Sequence, residues 1–213
     1  MSDPNSPLNA NVNTSVNTEN QPSHWHNHAK LKHTAGMIHC GHVAAYPTEA
    51  VWGLGCDPNN DLAIEQILQL KGRSWKKGLI LVAASIGQFD FILDKLPDGQ
   101  YRQLDNSWPG HITWLVPHHN LVSSLISGVH STVALRVSDH PVVKALCEHL
   151  DSPIVSTSAN PQGLPAPKSA LEVRRYFRTR KPGGNKLCIC PGVIGGKTSP
   201  SLIKDLASGK VIR

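Results

Sequence analysis

An unbroken apolar run, Leu79 to Ala84, is the feature that most constrains the fold of this chain. The run has the length of a β-strand, and because no polar residue interrupts it, both faces of that strand are expected to be buried. Helical patterns occur on either side of it, over residues 61–71, where Asn60 or Asp61 can cap the helix, and over residues 141–150. The sequence therefore predicts an α/β domain in which helices cover the sheet.

The other predicted elements interleave without strict βαβ regularity, so the sheet is expected to be mixed and twisted. The pairs Ser85 with Gln88 and Ser169 with Glu172 match the capping box that begins a helix. We expect strands at 43–46, 79–84, 112–116, 132–137 and 153–157, two or three short strands after 187, and helices at 29–42, 61–71, 97–107 and 141–150 and from 169 onward.

The first 28 residues are expected to form a disordered tail in front of one domain, residues 29–213. They are rich in Asn, Ser, Thr and Pro, and such a segment buries too little apolar surface to offset its ordering entropy. The start lacks the pattern of a signal peptide, and no apolar run reaches the roughly 20 residues of a membrane span. The five scattered cysteines suggest reduced thiols, so a cytoplasmic protein without a membrane segment is predicted.

The charge distribution favours an anionic partner. The chain has 21 Lys and Arg against 15 Asp and Glu, and the first 28 residues hold two acids and no Lys or Arg, so the net charge of +6 becomes +8 beyond them. Nucleotide, RNA or phosphate would suit such a domain, although charge alone can also serve solubility. An RNA-binding or ribosome-maturation module without catalytic activity is the alternative, because a basic cluster closes the last predicted helix: Arg174, Arg175, Arg178, Arg180 and Lys181.

Two motifs that suggest other enzymes do not fit their sequence context. Gly196-Lys197-Thr198 resembles the end of a P-loop, but Pro191 replaces the required glycine and Pro200 prevents the following helix. Ser74 and Lys77 match the first motif of serine acyl-enzymes, which needs a helix where a glycine and a strand follow. No dedicated metal site is predicted, because the histidines near residue 26 lack a framework of Cys or carboxylate ligands.

Polar side chains follow several predicted strands, most densely in the segment from Pro153 to Pro161, with the sequence PIVSTSANP. In open α/β sheets ligands bind at the carboxyl ends of strands, so this cluster is a candidate site. Alone, the same segment also fits an ordinary Asn-Pro turn. Likewise, Lys71 and Arg73 stand at a helix end, where cations favour the helix dipole.

Taken together, the polar clusters resemble the YrdC/TsaC family, the threonylcarbamoyl-AMP synthases. The resemblance extends over about residues 30 to 213 and implies a short, single-domain bacterial type, with an open α/β sheet around a large basic concave cavity. Four motifs carry it in the order of the family: Y-P-T-E-[TA]-x-[YFW]-G-L-G at Tyr46–Gly55, K-x-R at Lys71 and Arg73, P-G-x-x-T at Pro109–Thr113, and S-x-N at Ser158 and Asn160.

The resemblance implies that L-threonine, bicarbonate and ATP are condensed to L-threonylcarbamoyladenylate with release of pyrophosphate. Partner proteins would transfer the threonylcarbamoyl group to the adenosine beside the anticodon of tRNAs that read ANN codons. Mg²⁺ would bridge the ATP phosphates without a dedicated protein site. The implied residues are Lys71 and Arg73 for catalysis, Thr48 and Arg136 for the amino acid, Thr113 near the nucleotide, and Ser156, Ser158 and Asn160 for both substrates.

Three residues depart from the family pattern. Ser74 and His111 stand where proline is usual, and Ala50 replaces the common threonine, so the neighbouring loops are expected to differ. The resemblance also makes a spatial prediction. Ser158 and Asn160 should face Lys71 and Arg73 across one pocket.

Overall fold

A computed structural model describes residues 22–179 and 187–213. The strands in these ranges are β1 (Ala44–Pro47), β2 (Trp52–Gly55), β3 (Ile80–Ala83), β4 (Ile112–Pro117), β5 (Thr132–Val137), β6 (Ile154–Ser158), β7 (Cys188–Ile189) and β8 (Leu202–Asp205). The α-helices are α1 (Pro22–Asn27), α2 (Ala29–His39), α3 (Asp61–Lys71), α4 (Asp90–Leu93), α5 (Asp98–Asp105), α6 (Ser124–Ser127), α7 (Pro141–Leu150) and α8 (Ala170–Phe177). Short 3₁₀ turns occupy Trp75–Lys77 and Ile86–Phe89.

The strands form one mixed sheet in the order β7-β1-β2-β6-β3-β5-β4-β8. The pairs β1–β7, β3–β5 and β4–β8 are parallel, and the other neighbouring pairs are antiparallel. The predicted α/β class with a mixed sheet is therefore confirmed. β2 was not predicted, because its sequence, WGLG, is half glycine and lacks the alternating pattern of a strand.

Side chains alternate between the two faces of the sheet, and the two faces are covered differently. On one face Leu81, Leu135 and Val155 join a large core beneath α3, α5 and α8. On the other face Val82 and Ile154 pack with α1, α2 and α7, which cover only part of the sheet. The uncovered part of this second face is the concave surface described below.

Most of the predicted helix ends are confirmed by their hydrogen bonds. Asn60 Oδ1 accepts from the Ala63 amide at 3.0 Å and begins α3, and Ser169 Oγ accepts from the Glu172 amide at 3.3 Å and begins α8. The capping box at Ser85 is wrong, since its hydroxyl makes no capping bond. The amide group of Gln88 instead joins the Ala84 amide to the Cys147 carbonyl of α7.

The predicted tail ends earlier than its composition suggested. Residues 22–27 form α1, in which Trp25 is only 6% exposed and belongs to the core shared with α2 and α7. The main-chain oxygen of His26 also lies 2.7 Å from His149 Nε2. One large aromatic ring can anchor a short helix in a polar segment. The expectation of disorder was therefore wrong for 22–28, and residues 1–21, like Arg180 and Lys181, lie outside the described ranges.

Two further sequence expectations concern the environment of the chain. None of the helices in the described ranges is both long and apolar enough to cross a membrane. All five cysteines have free thiols.

Candidate active site

A cavity of about 460 Å³ lies on the part of the sheet that α1, α2 and α7 leave open. The register of the strands explains which side chains reach it, since residues paired across strands share a face. Ser158 pairs with Gly53, Ser156 with Ile80, and Val82 with Arg136. All six of these residues line the cavity, so three cross-strand pairs on one face of the sheet, between β2 and β5, form its floor.

The charged groups of the lining are mostly cationic. Among the described residues that line the cavity, Glu49 is the single carboxylate side chain. The Lys and Arg side chains of the lining are Arg73, Lys77, Arg136 and Arg213. Such a lining attracts anionic ligands. Arg174 and Arg175 on α8, and Arg178 directly after it, are exposed and do not belong to this lining.

A buried ion pair forms one wall of the cavity. Arg136 Nη2 lies 2.5 Å from Glu49 Oε1, and the same oxygen accepts from Ser138 Oγ at 2.7 Å. Burial acts to raise the pKa of Glu49, but the charge of Arg136 and the Ser138 bond outweigh it and lower the pKa below the usual value. Glu49 Oε2 is buried and has no hydrogen-bond partner in the described contacts.

Lys71 lies behind the cavity surface rather than in it. Its side chain is almost completely buried, with 4% of the residue exposed, and it is not part of the lining. Nζ donates to the main-chain oxygens of Ser158 and Asn160, the latter at 2.8 Å. Burial, and secondly the charge of Arg73, lower the pKa of Lys71 to about 8. Its contacts hold the turn that follows β6.

Arg73, two residues later, lines the cavity and is half-buried. Its Nη2 donates to the main-chain oxygen of Gly78 at 2.9 Å and more weakly to that of Lys77 at 3.4 Å. Burial, and secondly the charge of Arg213, lower the pKa of Arg73. Nε is buried without a described partner.

The spatial prediction can now be compared with the structure. Arg73 and Ser158 line one cavity, and Lys71 contacts the 158–160 turn directly, so the two motifs do not lie on opposite faces. Asn160 is absent from the lining, and its Nδ2 donates to the Pro161 carbonyl at 3.2 Å. The predicted arrangement is therefore correct for Arg73 and Ser158, which share the cavity, and wrong for Lys71 and Asn160, which lie behind its surface.

The remaining predicted residues divide in the same way. Thr48 and Ser156 line the cavity, and Thr48 Oγ1 donates to the Val51 carbonyl at 2.7 Å. Thr113 is fully buried, and its hydroxyl lies 2.8 Å from that of Ser201, which lines the cavity in its place. Thr113 therefore supports the surface instead of forming it.

Sequence reasoning did not place the segment from residue 193 to the end of the chain at the site. The Gly195 amide donates to the Thr48 carbonyl at 2.9 Å, and the Lys197 amide to the Glu49 carbonyl at 3.1 Å. A Cβ on Gly195 would lie 3.0 Å from the Glu49 backbone, so this glycine permits close packing of two chain segments. That close approach explains Gly195, which directly precedes the motif that resembles a P-loop.

The site gives no indication of a bound metal of its own. No three His, Cys, Asp or Glu side chains among residues 22–179 and 187–213 are placed to hold a metal ion. The carboxylate in the cavity is already paired with Arg136.

Comparison with known proteins points in the same direction as the geometry. A family model for the Sua5/YciO/YrdC domain, described as "Telomere recombination", matches residues 36–183. Proteins named threonylcarbamoyl-AMP synthase are similar: one from Saccharophagus degradans is 54% identical over 90% of this chain and 97% of its own length. Another from Pseudomonas fluorescens is 52% identical over 86% of this chain and 96% of its own length.

A solved structure resembles the fold. The crystal structure of P. abyssi Sua5 complexed with L-threonine superposes with a TM-score of 0.75 at 31% identity. The match covers 86% of this chain but 53% of that protein, so this chain spans about half of its length.

Proposed function

The chain belongs to the Sua5/YciO/YrdC family, and we propose that it is a threonylcarbamoyl-AMP synthase, a nucleotidyltransferase that condenses L-threonine, bicarbonate and ATP and releases pyrophosphate. The observation that carries the proposal is the cationic cavity, whose lining includes Thr48, Arg73 and Ser158 from the motifs shared with that family. The two relatives that bear this name match it over nearly their whole length, which supports the same activity here.

The chemistry needs the kind of site that the cavity offers. A threonine carbamate attacks the α-phosphate of ATP, a P–O bond forms there, and the bond to pyrophosphate breaks. The step brings anions together, so it depends on positioning and on stabilising charge more than on a nucleophile of the enzyme. Arg73 supplies a guanidinium for phosphate or carbamate oxygens, while Ser156 and Ser158 offer hydroxyls to the nucleotide and the amino acid.

The residues in and behind the cavity have different parts in binding the substrates. Arg136 and Thr48 form the side that takes the threonine, and the carboxylate of Glu49 holds the Arg136 guanidinium in place. Lys71 acts through the turn that it holds, so that the Ser158 hydroxyl keeps its position at the surface. Thr113 and Asn160 act in the same indirect way, through Ser201 and the turn after β6 respectively.

Mg²⁺ enters as its complex with ATP. The carboxylate in the lining is engaged by Arg136, so the phosphates themselves are the natural ligands of the ion. The product carries an activated threonylcarbamoyl group, which separate partner proteins pass to the adenosine beside the anticodon of tRNAs that read ANN codons. The free thiols are compatible with a cytoplasmic setting.

Pyrophosphate release by the purified full chain tests the proposal. With Mg-ATP and bicarbonate present, adding L-threonine should start pyrophosphate release, and mass spectrometry should detect threonylcarbamoyl-AMP. Reactions without threonine, or with D-threonine, serve as controls. The absence of threonine-dependent pyrophosphate would refute the enzymatic proposal.

A further inference from the structure

His111 links two parts of the cavity that are far apart in the sequence. The residue lines the cavity; its Nδ1 lies 3.2 Å from Arg136 Nη2, and its Nε2 lies 2.7 Å from the main-chain oxygen of Ser199. A guanidinium only donates hydrogen bonds and a carbonyl oxygen only accepts them. The two contacts therefore fix one tautomer, in which Nδ1 accepts from Arg136 and Nε2–H donates to Ser199.

These contacts determine how the guanidinium of Arg136 is oriented. Nε donates to the Gly110 carbonyl at 3.0 Å, and Nη2 is shared between Glu49 Oε1 and His111 Nδ1. Among the described contacts, Nη1 is thus the nitrogen left to meet a ligand. Without the acceptor on His111, one Nη2 hydrogen loses its partner, and of the described contacts those to Gly110 and Glu49 remain to orient the guanidinium.

We propose that His111 is a positioning residue for Arg136, and that it directs Nη1 toward an anionic substrate in the cavity. The Ser199 carbonyl has a supporting part, because it holds the imidazole in the tautomer that leaves Nδ1 free to accept. Proline, the usual residue of the resembling family at this position, has no side-chain acceptor and cannot make either contact. The inference rests on the proposed synthase activity for the identity of the substrate, and on geometry for the contact itself.

Three variants of the full chain separate the two contacts of His111. Asparagine places its carboxamide at the Nδ1 end of the ring and can accept from Arg136, whereas glutamine reaches the Nε2 end and can donate to Ser199. Alanine removes both contacts. kcat and KM for threonine and for ATP are measured in the pyrophosphate assay, with Arg136→Lys as the reference for the substrate that Arg136 serves.

We expect His111→Ala to raise the KM of one anionic substrate about tenfold, as the loss of a hydrogen bond to a charged group does. The same substrate should show the raised KM in Arg136→Lys. In His111→Ala, the KM of the other substrate and kcat should change by less than about twofold. His111→Asn should recover most of the loss, and His111→Gln should not. Melting temperatures should agree with that of the unaltered protein within about 2 °C.

The other outcomes overturn the proposal. Recovery by glutamine but not asparagine would assign the effect to Ser199, and an unchanged KM in His111→Ala would remove His111 from the site. Equal losses for both substrates together with a lower melting temperature would indicate a merely structural part. If the unaltered protein shows no turnover, only the proposed function is refuted. Calorimetric titrations of each variant with ATP alone and with threonine alone then test the part of His111. A protein that binds neither ligand would overturn both.

Discussion

Two neighbouring cations of the same motif belong to different regions of the molecule. Lys71 forms what we call the brace, its ammonium bound to the main-chain oxygens of Ser158 and Asn160 behind the cavity. Arg73 belongs to the cavity wall, which we define as Arg73, Glu49, His111 and Arg136. Gly72 separates the two with a left-handed backbone, φ 60°, which ends α3 and turns the chain between them. Spacing in a motif therefore does not tell whether a charge serves a ligand or the structure.

The largest effect that we expect from the contrast between brace and wall is the loss of catalysis on substitution of Arg73. Arg73→Ala should lower threonine-dependent turnover about a hundredfold to a thousandfold, because the charge that it offers to the reacting anions is lost. Its melting temperature should change by less than about 3 °C, since its bonds to Gly78 and Lys77 lie on a half-exposed turn. Arg73→Lys keeps the charge but lacks the planar guanidinium, so its turnover should lie between those of the unaltered protein and Arg73→Ala. Normal turnover in Arg73→Ala would remove Arg73 from the catalytic wall.

The second effect is on stability and arises from the ion pair in the wall. Glu49→Gln should lower the free energy of unfolding in urea by about 3 kcal/mol, because it leaves the buried guanidinium of Arg136 without a counter-charge. Ser138→Ala is the control; it removes the hydrogen bond to the same oxygen and the one that Ser138 Oγ accepts from the His140 amide, and should cost about 2 kcal/mol. A smaller loss in Glu49→Gln than in Ser138→Ala would show that the pair contributes little.

The Glu49–Arg136 ion pair also makes the free energy of unfolding depend on pH in the acid range. The folded pKa of Glu49 lies below its usual 4.5, so its stabilising contribution is present above pH 4.5 and is lost as the pH falls through the folded value. Glu49→Gln has no such group and should lack that part of the acid dependence.

The third effect concerns the brace, and its pH dependence has the same sign but lies in the alkaline range. The pKa of Lys71 is about 8 when folded and 10.5 usually, so between these values the unfolded chain binds the extra proton and stability rises with pH. Lys71→Met cannot titrate there. The stability of the unaltered protein relative to Lys71→Met should therefore increase by about 2 kcal/mol from pH 8 to pH 10 in urea unfolding. A flat difference over this interval would show that Lys71 keeps its proton when folded.

Much of the fold was predictable because most strands and helices have a pattern in their own local sequence. The apolar run at 79–84 and a capping Asn60 need no knowledge of distant residues. That local signal fails at β2, because of its glycines, and at α1, where Trp25 is the one large apolar anchor.

The site was predictable as a set of residues, but not as an arrangement. Whether a side chain meets the cavity depends on strand order and register, which bring Val82 beside Arg136 and Ser156 beside Ile80. Thr113 illustrates the consequence, since Ser201 of a distant segment covers it. His111 stood out in the sequence as a departure within the P-G-x-x-T motif, and no motif indicated Arg213; the tertiary fold places both at the site.

The contrast between brace and wall is tested most directly by one measurement, the rise in melting temperature that saturating Mg-ATP causes in Lys71→Met and in Arg73→Ala. A ligand stabilises a protein in proportion to the logarithm of its concentration relative to the dissociation constant, so the rise reports ATP binding in each variant. We predict that Lys71→Met melts lower without ATP and keeps most of the rise, while Arg73→Ala melts normally and loses it. The reverse pattern, with the rise lost in Lys71→Met and kept in Arg73→Ala, would contradict the assignment of the two cations.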